Sequence, residues 1–136
     1  MVKIVADTLS CINPDLAAQK GIGFLPQMII FDDKTYRDDT EINSISFLEK
    51  LRSSRVLPKT AAPSPALYIP IYRQFLNSDS TIIVICPSDK LSGTLRSAQV
   101  AAKDFPGADI RFVDTGLVGS GLGAIVLKAI EWAKSG

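Results

Sequence analysis

Residues 81–94 read Thr-Ile-Ile-Val-Ile-Cys-Pro-Ser-Asp-Lys-Leu-Ser-Gly-Thr. The first six, Thr81–Cys86, are almost wholly apolar and β-branched, and they lack the alternation of a strand with one wet face. A strand covered on both faces fits them. Leu91-Ser92-Gly93-Thr94 then leads into a helix expected over Ser92–Asp104. A buried strand running straight into a helix is half of a parallel βαβ unit.

The same alternation extends in both directions. Lys3–Asp7 (KIVAD) reads as a first strand. Asn13-Pro14-Asp15 reads as a capped helix start, and Gly21 closes that helix. Phe24–Phe31 reads as one extended segment, with Lys34–Asp38 as its hairpin partner across Asp32-Asp33. Residues 45, 47, 48 and 51 place apolar side chains at helical spacing after Ser44, the expected cap. Val56–Pro65 holds three prolines in ten residues and reads as a stiff extended loop. Ala66–Leu76 resumes helical spacing with a kink expected at Pro70. Ile110–Asp114 forms another strand and Gly119–Lys134 a last helix. The expected fold is α/β, a mainly parallel sheet with helices on both faces in a three-layer, Rossmann-like arrangement.

Composition narrows the function. The 136 residues carry a net charge of +1 with scattered basic residues, so no nucleic-acid stripe is present. Histidine is absent, which removes Ser-His and Cys-His nucleophilic chemistry and the commonest zinc ligand. The two cysteines, Cys11 and Cys86, have neither pairing nor metal spacing, and Cys86 reads as a buried hydrophobe. The longest weakly polar run, Gly116–Leu127, is twelve residues, against about 20 needed to span a bilayer. With no signal peptide at Met1–Thr8, the expectation is a soluble, cytoplasmic protein without metal or cofactor.

Ligands of parallel α/β sheets lie beyond the carboxyl ends of the strands. Three such ends carry polar residues: Asp7-Thr8, Ser88–Thr94 and Asp114-Thr115. The Leu-Ser-Gly-Thr turn offers helix N-terminal amides, the Ser92 hydroxyl and a close backbone approach at Gly93, a cradle for a carboxylate or phosphate. Plain helix capping by Ser92 or Thr94 accounts for the same tetrapeptide. Lys59-Thr60, stiffened by Pro58 and Pro63, is either a second ligand contact or a rigid surface loop. Gly116, Gly119, Gly121 and Gly123 do not keep the G-x-G-x-x-G spacing, and close packing of the last helix is the better reading. Asp38, Asp39 and Glu41 read as a solvated turn with Arg37 pairing one carboxylate, rather than as a metal site.

Five motifs occur together and in order: Lys3–Thr8 (KIVADT), Tyr36-Arg37-Asp38, Pro58-Lys59-Thr60 followed by Pro63-Ser64, Lys90–Thr94 with Ser97-Ala98, and Asp114 ahead of a glycine-spaced helix. This set resembles the DegV family over essentially the whole chain. The resemblance implies a two-lobed protein that binds a long-chain, palmitate-like fatty acid without catalysis and presents it to a fatty acid kinase subunit. Residues 1–136 would correspond to the N-terminal lobe, with the C-terminal lobe absent. It further implies that Thr60 and Ser92 share the carboxylate, with the Gly93 N–H as another donor. Asp7, Thr8, Ser64 and Thr94 are secondary positions, and the acyl tail runs into an apolar tunnel. This chain has Ala61-Ala62 where the family commonly has Ser and Gln, and Asp7-Thr8-Leu9 where it has Asp-Ser-Thr.

Two rival expectations follow. One is a phosphotransferase domain related to dihydroxyacetone kinase, whose substrate-capturing histidine has no counterpart here. The other is a non-ligand-binding interaction or assembly module in which the Leu-Ser-Gly-Thr turn is only a helix cap; on the first reading too, a lone lobe would expose its interface to self-association.

Overall fold

The computed structural model describes residues 1–135. Strands β1 (Val2–Asp7), β2 (Gly23–Leu25), β6 (Thr81–Cys86) and β7 (Ile110–Asp114) form one parallel sheet in the order β2-β1-β6-β7. Ile4 sits opposite Ile83, and Val84 opposite Phe112. β6 is therefore central and covered on both faces, as its unbroken apolar run requires. Strands β3 (Met28–Phe31), β4 (Lys34–Arg37) and β5 (Lys59–Ala61) form a second, antiparallel sheet in the order β4-β3-β5.

Helices α3 (Pro65–Leu76) and α4 (Thr94–Ala102) cover one face of the parallel sheet. Tyr68, Tyr72 and Phe75 of α3 meet Val5, Ile82 and Val84 there, with Ala98 and Ala101 of α4. Helices α1 (Pro14–Lys20) and α5 (Ser120–Ser135) cover the other face, where Ala17, Leu122, Val126 and Ile130 pack on Ile4, Ala6 and Ile85. The three-layer α/β expectation holds. Helix α2 (Ser44–Ser53) packs beside the second sheet, with Phe47 against Phe31 at 5.6 Å between ring centroids.

Several boundaries differ from the sequence reading. Phe24–Phe31 is two strands in two sheets, because the chain bends at Pro26-Gln27 between Leu25 and Met28. The proline-rich segment contributes β5, and it does so at an outer position where the Pro58 and Pro63 flanks cost no ladder bond on the open side. The cap of α2 is Asn43, whose side chain accepts from Ile45 N and Ser46 N in a capping box. α4 starts at Thr94, two residues after the expected start. Pro70 lies within an uninterrupted α3 on its exposed side, where the carbonyl it leaves unpaired, on exposed Ala66, reaches water.

Of the glycines near α5, Gly123 alone is required by close packing, while Gly116 and Gly119 take positive φ. Gly119 adopts φ +69° and its N–H donates to the Leu9 carbonyl at 2.7 Å, tying the start of α5 to the loop after β1. One turn on, a Cβ at Gly123 would collide with the Ser10 carbonyl. Gly123→Ala is therefore expected to destabilise the fold by about 1–3 kcal/mol. Gly121→Ala, whose Cβ would meet only the Leu117 side chain at 3.4 Å, should stay within about 0.5 kcal/mol of the parent. Urea unfolding midpoints of the two variants check the contrast; equal midpoints would remove the close-approach explanation for Gly123.

Candidate functional site

Beyond the carboxyl edge of the parallel sheet, the polar ends of β1 and β6 face the antiparallel sheet. β1 ends on Asp7, and the chain then makes a short 3-10 turn over Thr8–Ser10. Ser10 Oγ donates to the Asp7 carbonyl at 2.6 Å and Leu9 N donates to Asp7 Oδ1 at 3.1 Å. β6 passes through Pro87 and Ser88, whose carbonyl accepts from Leu91 N and Ser92 N, each at 3.0 Å. That tight turn delivers Ser92 and Gly93 to the N-terminus of α4.

Asp7 is 1 % exposed, and its Oδ2 accepts from Gln27 Nε2 at 2.6 Å and from Thr94 Oγ1 at 2.8 Å. Gln27 Nε2 also lies 3.1 Å from Thr94 Oγ1, which is 2.9 Å from Ser92 Oγ. Thr8 Oγ1 accepts from Gln27 N at 2.9 Å and donates to the Asp38 carboxylate, 2.7 Å from Oδ2. The linked side chains Asp7, Gln27, Thr94 and Ser92 thus come from the end of β1, the interstrand bend at Gln27, and the first residue of α4 with the turn before it. Burial pushes the Asp7 carboxyl up to about 6, against the opposing pull of the Thr94, Gln27 and Leu9 donors and with a small upward push from Asp38. Burial likewise raises Asp38, offset by the Thr8 donor.

In front of this network lies a cavity of about 320 Å³. Its polar wall is Gln27, Asp38, Thr60, Ser92 and Gly93, and its apolar wall is Leu9, Ile29, Leu91, Val118 and the Ala62 methyl. Thr60 and Ser92, 32 positions apart by their numbering, share it because β5 pairs with β3 and sets Thr60 beside Ile29. The Thr60 hydroxyl and the Gly93 N–H have no protein partner among the described residues, so both are free to donate into the cavity.

The secondary positions separate. Asp7, Thr8 and Thr94 stand behind the cavity wall and hold it together, while Ser64 lies outside, exposed at the N-cap of α3 without a side-chain cap bond. Asp114-Thr115, the third polar strand end, only closes a turn: Gly116 N donates to Asp114 Oδ1 and Thr115 Oγ1 to the Cys86 carbonyl. Arg37 pairs Asp39 at 2.8 Å, and among the described residues no group of His, Cys, Asp or Glu could hold a metal. Sequence reading missed Gln27. Its one signal is a polar side chain inside the apolar run Phe24–Phe31, 6 % exposed in the fold. Among those residues no helix is long and apolar enough to cross a membrane.

A family model described as "Uncharacterised protein, DegV family" matches residues 1–136. A DegV domain-containing protein of Deinococcus radiodurans is 33% identical over 135 residues, which is 99% of this chain and 48% of that protein. A solved structure described as fatty acid binding of a DegV family protein from Thermus thermophilus superposes with a TM-score of 0.90 at 33% identity, over 99% of this chain and 48% of that one. The structure of DegV, a fatty acid binding protein from Bacillus subtilis, gives 0.88 at 28% identity with the same coverage. The chain thus spans about half the length of the relatives it matches.

Asp7 carries a stability cost that its pH dependence should expose. A carboxyl raised in the fold contributes stability at acid pH and loses it as pH climbs through the folded value, here about 6 against 3.8 for a free aspartate. The protein is expected to lose up to about 3 kcal/mol relative to Asp7→Asn between about pH 4 and pH 8. Denaturant titrations across that range measure it; a constant difference would show that Asp7 titrates normally.

Proposed function

The chain belongs to the DegV family, and from that premise we propose that it binds a long-chain fatty acid non-covalently, as a carrier and not as an enzyme. The observation that carries this reading is the convergence of the free Thr60 hydroxyl, the Ser92 hydroxyl and the free Gly93 N–H on one cavity that Leu9, Ile29, Leu91 and Val118 also line. Relatives of known structure that are described as fatty acid binders, from Thermus thermophilus and Bacillus subtilis, share the fold over this whole span.

The chemistry suits an amphiphile with a small anionic head. A carboxylate brought out of water needs partners for its lone pairs. Two hydroxyls and an amide at the N-terminus of α4 supply them, and the helix dipole adds to their attraction. Among the described residues no cationic side chain lines the cavity, whereas the half-buried Asp38 carboxylate, bonded to Thr8, does, so affinity would have to come from the tail. Burying roughly 14 methylenes at ~0.8 kcal/mol each yields on the order of 11 kcal/mol before ordering costs. The tail would start along Leu9, Ile29, Leu91 and Val118, where the apolar tunnel that the family resemblance implies would begin. Leu91 is 72 % exposed and Val118 42 % exposed, so a further apolar surface has to close over the chain. A second lobe, of the kind the family resemblance implies, would supply that surface and the face presented to a fatty acid kinase subunit; a second copy of this chain would close it by self-association.

Mass spectrometry of an organic extract of the purified, denatured protein should find a long-chain fatty acid near one per chain. Ser92→Ala and Thr60→Ala should each weaken acyl binding by about tenfold or more, the usual cost of losing a hydrogen bond to a charged group. Unchanged affinity in both variants would remove these hydroxyls from the site. Turnover of a phosphoryl donor by the purified protein would overturn the non-enzymatic reading.

A further inference from the structure

Three oxygens run in a row from the interior to the cavity. Asp7 Oδ2 lies 2.8 Å from Thr94 Oγ1, which lies 2.9 Å from Ser92 Oγ. Each hydroxyl has one proton and two lone pairs. With Asp7 ionised, its oxygens can only accept, so the Thr94 proton points at Asp7. Gln27 Nε2, at 3.1 Å, fills one Thr94 lone pair and the Ser92 proton takes the other. Ser92, which already accepts from Thr94 N at 3.3 Å, then turns a bare lone pair to the cavity. A carboxylate arriving there meets a lone pair unless Ser92 gives up its bond to Thr94.

With Asp7 protonated on Oδ2, every bond in the row reverses. Asp7 donates to Thr94, Thr94 donates to Ser92, and the Ser92 proton is free for the cavity. The oxygens need not move, and no lone pair is used twice. The two patterns differ by one proton. It enters on Ser92 Oγ from the cavity, Ser92 passes its own proton to Thr94, and Thr94 passes its own to Asp7.

We propose that Asp7 is a positioning residue whose protonation turns the Ser92 hydroxyl toward the ligand, so that docking of an anionic head group on Ser92 draws one proton onto Asp7. The proposal rests on the reading of the cavity as a carboxylate site. It also accounts for an acidic side chain buried directly behind a place meant for an anion.

The surroundings of Asp7 favour such a change. Asp38, on the far side of Thr8, is the nearest other carboxylate and pushes Asp7 toward the protonated form. Tyr68 from α3 and Cys86 from β6 also face it, and burial raises both, Cys86 to about 12, so both stay neutral near neutral pH. Gln27 and Thr94 contribute no charge, and among the described residues no Lys or Arg bonds to Asp7.

The test is calorimetric titration of decanoate into the protein in two buffers of different ionisation enthalpy, repeated across pH. Near pH 7 the uptake should approach one proton per ligand, because free Asp7 titrates at about 6. Above that pH the affinity should fall by up to about tenfold per unit. Asp7→Asn, which has no carboxyl to take up a proton, should show no uptake and a flat pH profile. Thr94→Ser and Asp38→Asn should keep the uptake, and Thr94→Val should lose it. A wild-type count of zero overturns the coupling whatever the variants do, and uptake that survives in Asp38→Asn keeps the proton on Asp7. Decanoate binding without uptake, or uptake that disappears only in Asp38→Asn, overturns the coupling and leaves the fatty-acid reading standing. No decanoate binding at any pH overturns the fatty-acid reading, and the coupling with it.

Discussion

Asp7 has to be solvated by the protein itself, since the fold leaves it 1 % exposed at the end of the strand next to the centre of the sheet. Its oxygens collect three donors: the Leu9 amide, the Gln27 side chain and the Thr94 hydroxyl. Those donors lie on the turn after β1, the bend joining the two sheets and the first turn of α4. Burying one carboxylate without partners costs several kcal/mol, so these segments cannot separate without exposing or stranding it. The geometry of the cavity depends on that requirement more than on any apolar contact.

The hydrophobic layers do a different job. The two side-chain clusters on either face of the parallel sheet fix β1 and β6 in register and hold α3, α4, α1 and α5 against them. Tyr68 and Tyr72 are fully buried and their hydroxyls approach the Thr94 and Ala98 carbonyls, so α3 is pinned to α4 by polar as well as apolar contact. This rigid body carries the Ser92–Thr94 turn. The antiparallel sheet carries Thr60 on an outer strand, which makes that side of the cavity the more deformable one.

If the cavity takes an anion as proposed, it does so without a cation, and with the Asp38 carboxylate among its lining residues. A buried lysine or arginine would hold a carboxylate through charge and tie its release to breaking an ion pair. Hydroxyls and amides satisfy the head group without that strength, and leave most of the binding free energy with the tail. On the proposed reading, discrimination would fall to the apolar path and the polar end would orient the ligand.

The sequence by itself determined the layers. The unbroken apolar run of Thr81–Cys86, the helix signals at Asn13-Pro14 and Gly21, and the last amphipathic stretch specify a parallel three-layer sheet, because periodicity and capping are local properties of the chain. The Ser92-Gly93 turn was legible for the same reason, as a strand end followed by a helix start. The tertiary structure alone decided that Phe24–Phe31 divides at Pro26-Gln27 between two sheets, that the proline-rich segment adds a strand beside β3, and that Thr60 therefore faces Ser92. It also decided the role of Gln27, an isolated polar residue whose partner Asp7 lies 20 positions away. Pairings of that kind are set by which strands become neighbours, and no local pattern in the chain encodes a neighbour.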